Sequence, residues 1–157
     1  IEMRPLIGDW VFGCDICQDV CPVNREAKFS TEVYFQKRRG FSAPELLPLL
    51  EMDDSEFSLK FRNSAIKRAK RVGLQRNVCV ALGNIGDHSA IPALSKILSK
   101  SEPLVKMHAA WALGRIGGKQ CKDLLECARL SESESDVITE IESALFNLNG
   151  IQSEAIS

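Results

Sequence analysis

The sequence has 157 residues, of which 45% are hydrophobic and 26% are charged, and its formal net charge is −1. A chain of this length can bury the core of one domain. It contains no run of roughly 18 to 20 apolar residues, and its first residues do not resemble a signal peptide. These features predict a cytoplasmic protein with no membrane role. The chain begins with Ile1 rather than methionine, which suggests a piece of a longer protein.

Three cysteines near the start form the most informative motif: Cys14, Cys17 and Cys21, the last followed by Pro22. Their spacing matches the tail of the bacterial ferredoxin run C-x2-C-x2-C-x3-C-P, in which the cysteine before the proline ligates the other cluster of a two-cluster protein. The pattern predicts that Cys14 and Cys17 bind one [4Fe–4S] cluster and that Cys21 binds a second. The match is partial, because the position three residues before Cys14 holds Val11.

Two alternatives for this motif stay open. Zinc is the first, since three thiols supply three of four tetrahedral ligands, although no nearby histidine completes the set. Structural cysteines, reduced or paired in a disulfide, are the second. The stretch 10–12, Trp-Val-Phe, either shields a cluster from water or packs ordinarily. The remaining cysteines lie in helical apolar patterns that predict buried small side chains, and they are Cys79, Cys121 and Cys127.

Residues 30–62 are predicted to form a helical linker. A helix start is indicated at Ser42 to Glu45, and an apolar patch of leucines follows between residues 46 and 50. Two or three short helices are expected, with Pro48 bending or ending the first of them.

A basic stretch follows this linker, with seven Lys or Arg residues and no acid between Lys60 and Arg76. A helix that begins at Asn63 or Ser64 and ends at Gly73 would place several of these cations on one side. Such a face attracts nucleic-acid phosphates, and the lack of stacking aromatic residues favours structured RNA over single strands. The alternative is a solvated face paired with the acids of residues 51–56. The predicted RNA contacts are Lys67, Arg68, Lys70, Arg71 and Arg76.

A repeat occupies the rest of the chain. The stretch Ala81 to Gly86 recurs as Ala112 to Gly117 after 31 residues, and a weaker copy begins at Ala144. A period of this length predicts stacked helix pairs. The small residues Gly83 and Gly114 would let neighbouring helices approach closely, and the final glycine of each copy would end its helix. The pattern resembles the short HEAT-like repeats first seen in phycobiliprotein lyases.

The predicted fold class is therefore mostly α, with a partial ferredoxin-like [4Fe–4S] segment followed by a HEAT-like helical solenoid. The predicted divisions are a ferredoxin-type tail at 1–29, a linker at 30–62, the repeat domain at 63–150 and a flexible tail at 151–157.

Four stretches together resemble the C-terminal part of epoxyqueuosine reductase: Gly13 to Asn24, Phe61 to Arg68, Gly73 to Asn77 and Ala81 to Asn84. That family uses cobalamin and two [4Fe–4S] clusters to reduce epoxyqueuosine in tRNA to queuosine. The resemblance extends over almost the whole chain and implies that Cys14 and Cys17 ligate the second cluster and Cys21 the first.

The resemblance also implies what lies outside these residues. The other cluster ligands, the cobalamin domain and the catalytic acid belong to parts of the family that this chain lacks, so no catalytic residue is assigned and the chain alone is expected to be inactive. Its implied partners are the anticodon arm of a queuosine-family tRNA and an electron donor protein or reductant. Asn77 is expected either to add a polar contact to RNA or to face water.

Two other classes of function stay open. One is a HEAT-repeat scaffold that binds proteins and keeps a vestigial cysteine loop. The other is a different corrinoid or iron–sulfur oxidoreductase, such as a dehalogenase, which would leave the basic stretch and the repeats without an evident purpose.

Overall fold

The computed structural model of the protein describes residues 3–28, 30–32 and 44–154, with side chains up to residue 149. Every regular element in these ranges is helical, which confirms the mostly α class. The α-helices are α1 (Arg4–Ile7), α2 (Ile16–Asp19), α3 (Leu46–Glu51), α4 (Asp54–Lys60), α5 (Lys70–Ile85), α6 (Ile91–Lys100), α7 (Pro103–Ile116), α8 (Gly118–Ser131) and α9 (Ser135–Glu154). No helix within these ranges has both the length and the apolar character needed to cross a membrane.

Two short helices, α3 and α4, precede the basic stretch. Pro48 does not end the first of them, because α3 continues to Glu51. Pro48 lies in the first turn of α3, where a backbone N–H has no helical partner to lose. Helix α4 begins at a capping box, in which the Asp53 carboxylate accepts from the backbone N–H of Glu56 and the Glu56 side chain accepts from that of Asp53. The predicted helix start at Ser42 lies outside the described residues.

The repeats form two layers of helices. Helices α5, α7 and α9 pack side by side in one layer, while α6 and α8 pack against them in the other. The turns follow the sequence pattern: Gly86 ends α5 in the left-handed region with φ 74°, and prolines occupy the first turns of α6 and α7. The predicted stacked helix pairs are therefore confirmed.

Glycines set the spacing between helices of the first layer. A Cβ atom added to Gly83 of α5 would lie 2.9 Å from the Cα atom of Ala112 in α7. One added to Gly114 of α7 would lie 2.8 Å from the Cβ atom of Ala144 in α9. Contacts this short cannot hold a side chain, so the predicted role of Gly83 and Gly114 in close helix approach is confirmed.

The cysteines of the repeats differ in burial. Cys79 and Cys121 are buried as predicted, and burial raises the pKa of the Cys79 thiol to about 12. The prediction for Cys127 is wrong, because this residue is exposed. Helix α8 buries only Cys121 and Leu125, which lie on one face, and Cys127 stands about 200° around the helix from Leu125.

The last helix crosses the predicted division at residue 150. Helix α9 continues to Glu154 and so enters the stretch 151–157 that was expected to be a flexible tail. It packs beside α7 in the first layer and against α8 of the second.

Candidate cysteine loop and basic surface

The cysteine motif lies in two short turns. Cys14 precedes α2, Cys17 lies within it, and Cys21 separates it from a 3₁₀ turn at Pro22–Glu26. The Asn24 side chain donates to the Gln18 carbonyl at 3.1 Å and links the two turns. Cys14 and Cys17 are exposed, Cys21 is half-buried, and all three thiols are free.

These thiols suit part of an iron–sulfur site. Thiolate sulfur is the usual ligand of such clusters, and the three side chains are chemically available for it. Among residues 3–28, 30–32 and 44–154, however, no three His, Cys, Asp or Glu side chains converge into a group that could hold a metal ion. This part of the chain therefore offers separate thiols rather than a complete site.

Apolar side chains surround the motif. Trp10 and Phe12 are 43% and 41% exposed, and Ile16 and Val20 are exposed to a greater extent. Val11, in contrast, packs partly against the core of the repeats. The structure thus gives ordinary packing to Val11 and leaves its two aromatic neighbours at the surface.

The basic stretch is not the single helix that was predicted. Ser64 caps a 3₁₀ turn at Ala65–Ala69, and α5 begins only at Lys70 and runs through Gly73. Lys70 itself has φ 57° and ψ 168°, a backbone conformation that favours glycine. The expected helix end at Gly73 is wrong because the chain turns at Lys70 instead and then continues as α5.

An exposed group of cations occupies this turn and its approach. In the described part of the chain, these side chains make neither a hydrogen bond nor an ion pair, so their charges face solvent. We call this group the basic surface, and its members are Lys60, Arg62, Lys67, Arg68 and Lys70.

Arg71 does not belong to the basic surface. Its guanidinium is only 16% exposed and donates to Asp54 at 2.8 Å, to the Gln75 side chain at 2.7 Å and to Glu102. The carboxylate of Asp54, ahead of that of Glu102, raises the pKa of Arg71. Arg71, which was predicted as an RNA contact, instead joins α4, α5 and the start of α7. For this residue, the alternative of pairing with the acids of residues 51–56 is confirmed by its bond to Asp54.

Arg76 and Asn77 lie further along α5. Arg76 is half-buried and donates to the Asn77 side-chain oxygen at 2.8 Å, while the Asn77 amide donates to the Val11 carbonyl at 2.8 Å. Asn77 is therefore half-buried and hydrogen-bonded within the chain, contrary to the expectation that it faces water. Arg76 lines a cavity of about 300 Å³ between α1, α5 and α7.

His108 lines the same cavity. Its Nδ1 lies 2.8 Å from the Leu104 carbonyl oxygen, and burial lowers the pKa of the imidazole to about 4, with Arg4 and Arg76 acting in the same direction. The ring is therefore neutral near pH 7. Arg76 also lines the cavity and has no acidic partner among the described residues. The cavity wall therefore carries an uncompensated positive charge.

A buried ion pair, which sequence reasoning missed, joins α1 to α9. Arg4 of α1 donates to both carboxylate oxygens of Glu140 in α9 at 2.6 and 3.1 Å, and the two residues are 4% and 6% exposed. The Arg4 guanidinium also lies 5.5 Å from the ring centre of Trp111. No local pattern could reveal this pair, since its members are 136 residues apart.

Comparison with known proteins identifies the class first. Residues 59–145 match the family described as HEAT repeats, and the chain belongs to that family. It is also 33% identical over 159 residues to the epoxyqueuosine reductase of Bacillus subtilis (strain 168), a match that covers 99% of this chain and 41% of that protein. Against the epoxyqueuosine reductase of Escherichia coli (strain K12), it is 37% identical over 114 residues, or 73% of this chain and 30% of that protein.

A solved structure gives the same answer. The crystal structure of epoxyqueuosine reductase with an epoxyqueuosine-modified tRNA-Tyr stem loop superposes with a TM-score of 0.89 at 34% identity, covering 94% of this chain and 40% of that one. The predicted resemblance is confirmed. The chain spans less than half the length of these relatives.

Proposed function

We propose that this chain is part of an epoxyqueuosine reductase, an oxidoreductase that reduces epoxyqueuosine to queuosine in tRNA in the cytoplasm. One observation carries the proposal: the likeness to these enzymes extends over nearly the whole chain, through both the cysteine motif and the repeats. A plain scaffold of HEAT repeats would share the second part only. Within that enzyme, this chain would bind tRNA and supply some of the cluster ligands.

In this proposal Cys14 and Cys17 ligate one [4Fe–4S] cluster and Cys21 the other. The remaining ligands and the cobalamin would come from the part of the enzyme that these residues do not span, and an electron donor protein or reductant would supply the electrons. Bound clusters would act as one-electron carriers whose potentials depend on burial and on hydrogen bonds to sulfur. The exposed Trp10 and Phe12 beside the motif would then exclude water from it.

The basic surface would bind the phosphates of the anticodon arm. Lys67, Arg68 and Lys70 are exposed and have no partner in the described part of the chain, so they keep their full charge for an RNA backbone. Such contacts fix the position of the RNA and carry little sequence information. Arg76, set back along α5, would add a contact only if the RNA reached the cavity. Arg71 would act by holding α4 and α7 in place.

The test is tRNA binding across a salt series. The variant Lys67→Ala/Arg68→Ala/Lys70→Ala is compared with the wild type, using tRNA that carries a queuosine-family anticodon. The slope of log K against log salt is negative, and if three phosphate contacts are lost its magnitude should decrease by about 2 to 3.

A matched control removes equal charge elsewhere. Lys100, Lys119 and Arg129 lie on α6 and α8, the other layer of the solenoid, and their triple alanine variant should keep the wild-type slope. Equal losses in the two variants would show that only net charge matters. No binding by the correctly folded wild-type chain would contradict a tRNA-holding role for this surface.

A further inference from the structure

Two asparagine side chains of α5 hold the segment that leads to the cysteine motif. Asn84 donates to the carbonyls of Arg4 and Gly8 at 2.9 and 2.7 Å, and Asn77 donates to the carbonyl of Val11 at 2.8 Å. The two asparagines are seven residues apart, which is close to two helical turns, so they lie on the same face of α5.

The bonds matter because this segment has little secondary structure of its own. Between residue 3 and α2, only Arg4–Ile7 is helical, so the carbonyls of Gly8 and Val11 depend on partners elsewhere. A carboxamide has two N–H donors, and Asn84 uses its amide nitrogen for both of its carbonyls. The side chains of Asn77 and Asn84 are half-buried, which shields these bonds from competition by water.

The bonds also give the segment a direction. The chain passes Asn84 first and Asn77 second, so it runs antiparallel to α5, toward the N-terminal end of that helix. Two helical turns correspond to about 10 Å, and Lys70, the first residue of α5, precedes Asn77 by seven residues. Cys14 follows Val11 by three residues, a reach of at most about 11 Å. The segment therefore heads for the end of α5 that carries the basic surface.

We propose that Asn77 and Asn84 are positioning residues, which fix the register of the cysteine loop along α5 and so place Cys14 beside Lys67 to Lys70. The significance for RNA rests on the proposed function, whereas the register itself does not. With both in place, RNA held by the basic surface and a cluster ligated by the loop would lie at one end of one helix.

The test measures the distance between spin labels on the loop and on the basic surface. Cys17, Cys21 and Cys127 are replaced by serine so that Cys14 carries one label, and Lys67→Cys carries the other. The buried thiols Cys79 and Cys121 remain unlabelled. The expected result for the chain with both asparagines is one narrow distance distribution. A broad distribution there would overturn the proposal without any further variant.

The asparagine variants then test the cause. Asn77→Ala and Asn84→Ala should each lose the narrow distribution. Asn147→Ala, which removes an exposed amide of α9 that has no hydrogen bond to the residues described, should keep it. Asn77→Gln retains the amide donor and should restore part of the narrow distribution, whereas Asn77→Asp, which has no donor, should not. An unchanged distribution in the two alanine variants, with helical circular dichroism preserved, would show that the amides do not set the register.

The two proposals fail in different ways. A narrow distance distribution without RNA binding would refute the proposed RNA contact and support the proposed register of the cysteine loop. RNA binding with a broad distance distribution would refute the proposed register and support RNA binding by the basic surface.

Discussion

Helix packing at Gly83 gives the most quantitative prediction. Replacing a helical glycine by alanine normally stabilises a protein by up to about 1 kcal/mol, because glycine loses more backbone entropy on folding. At Gly83 the added Cβ would lie 2.9 Å from the Ala112 Cα atom and 2.7 Å from Cζ3 of Trp111. The Trp111 ring can move, but the backbone of Ala112 cannot move without separating α5 from α7.

The net effect follows from two opposing contributions. Overpacking of this kind costs about 1 to 3 kcal/mol, which outweighs the gain in helix propensity. We therefore expect Gly83→Ala to lower the free energy of unfolding by up to about 2 kcal/mol, or Tm by up to roughly 8 °C for a chain of this size.

Gly73 provides a matched control on the same helix. The nearest atom to a Cβ added there is the Ala69 Cβ at 3.8 Å, an ordinary contact, so Gly73→Ala should stabilise the protein by about 0.5 to 1 kcal/mol. Urea unfolding followed by circular dichroism measures both variants. If Gly83→Ala is as stabilising as Gly73→Ala, the close approach of α5 and α7 is not what the structure indicates.

Three further predictions concern single sites. Lys70 has positive φ, so Lys70→Gly should be more stable than Lys70→Ala by about 1 kcal/mol in urea unfolding, the reverse of the usual helix preference. Burial keeps His108 neutral with a pKa near 4, below the ordinary value of 6.5, so the unfolded chain binds the extra proton between these values. Stability should therefore fall as the pH drops from about 6.5 to about 4, and a pH series of thermal unfolding should show a smaller fall in His108→Gln. Arg4→Met leaves the Glu140 carboxylate buried without its partner and should cost about 3 to 5 kcal/mol, most of which Arg4→Met/Glu140→Leu should recover in the same unfolding assay. A double variant no more stable than Arg4→Met would contradict that explanation.

The repeats could be predicted because their signals are local. The 31-residue period, the prolines of the first turns and the glycine at each helix end lie within a few residues of the feature they determine. Gly83 and Gly114 could be assigned to close contacts for the same reason, since small residues at equivalent positions of neighbouring repeats indicate where helices meet.

The basic stretch was harder to predict because its shape depends on distant residues. Arg71 pairs with Asp54 and Glu102, which are 17 and 31 residues away. Pairing with the acids of residues 51–56 was an open alternative, but no helical wheel could show which cation they would reach or that Glu102 would join them. The break between the 3₁₀ turn and α5 arises from the positive φ of Lys70, which the neighbouring residues in the sequence do not indicate. The partner of the Asn77 amide lies 66 residues earlier, so its bond to Val11 could not be read from the repeat.

The ion pair between Arg4 and Glu140 affects the order in which the protein can assemble. Solenoids normally fold through contacts between neighbouring repeats, and any part of the array can start the process. Here, a residue near the beginning of the described chain finds its partner only in the last helix. During synthesis, the carbonyls of Arg4 and Gly8 can meet Asn84 once α5 has formed, but the Arg4 guanidinium has no carboxylate partner until α9 has left the ribosome, so the attachment of α1 is completed last.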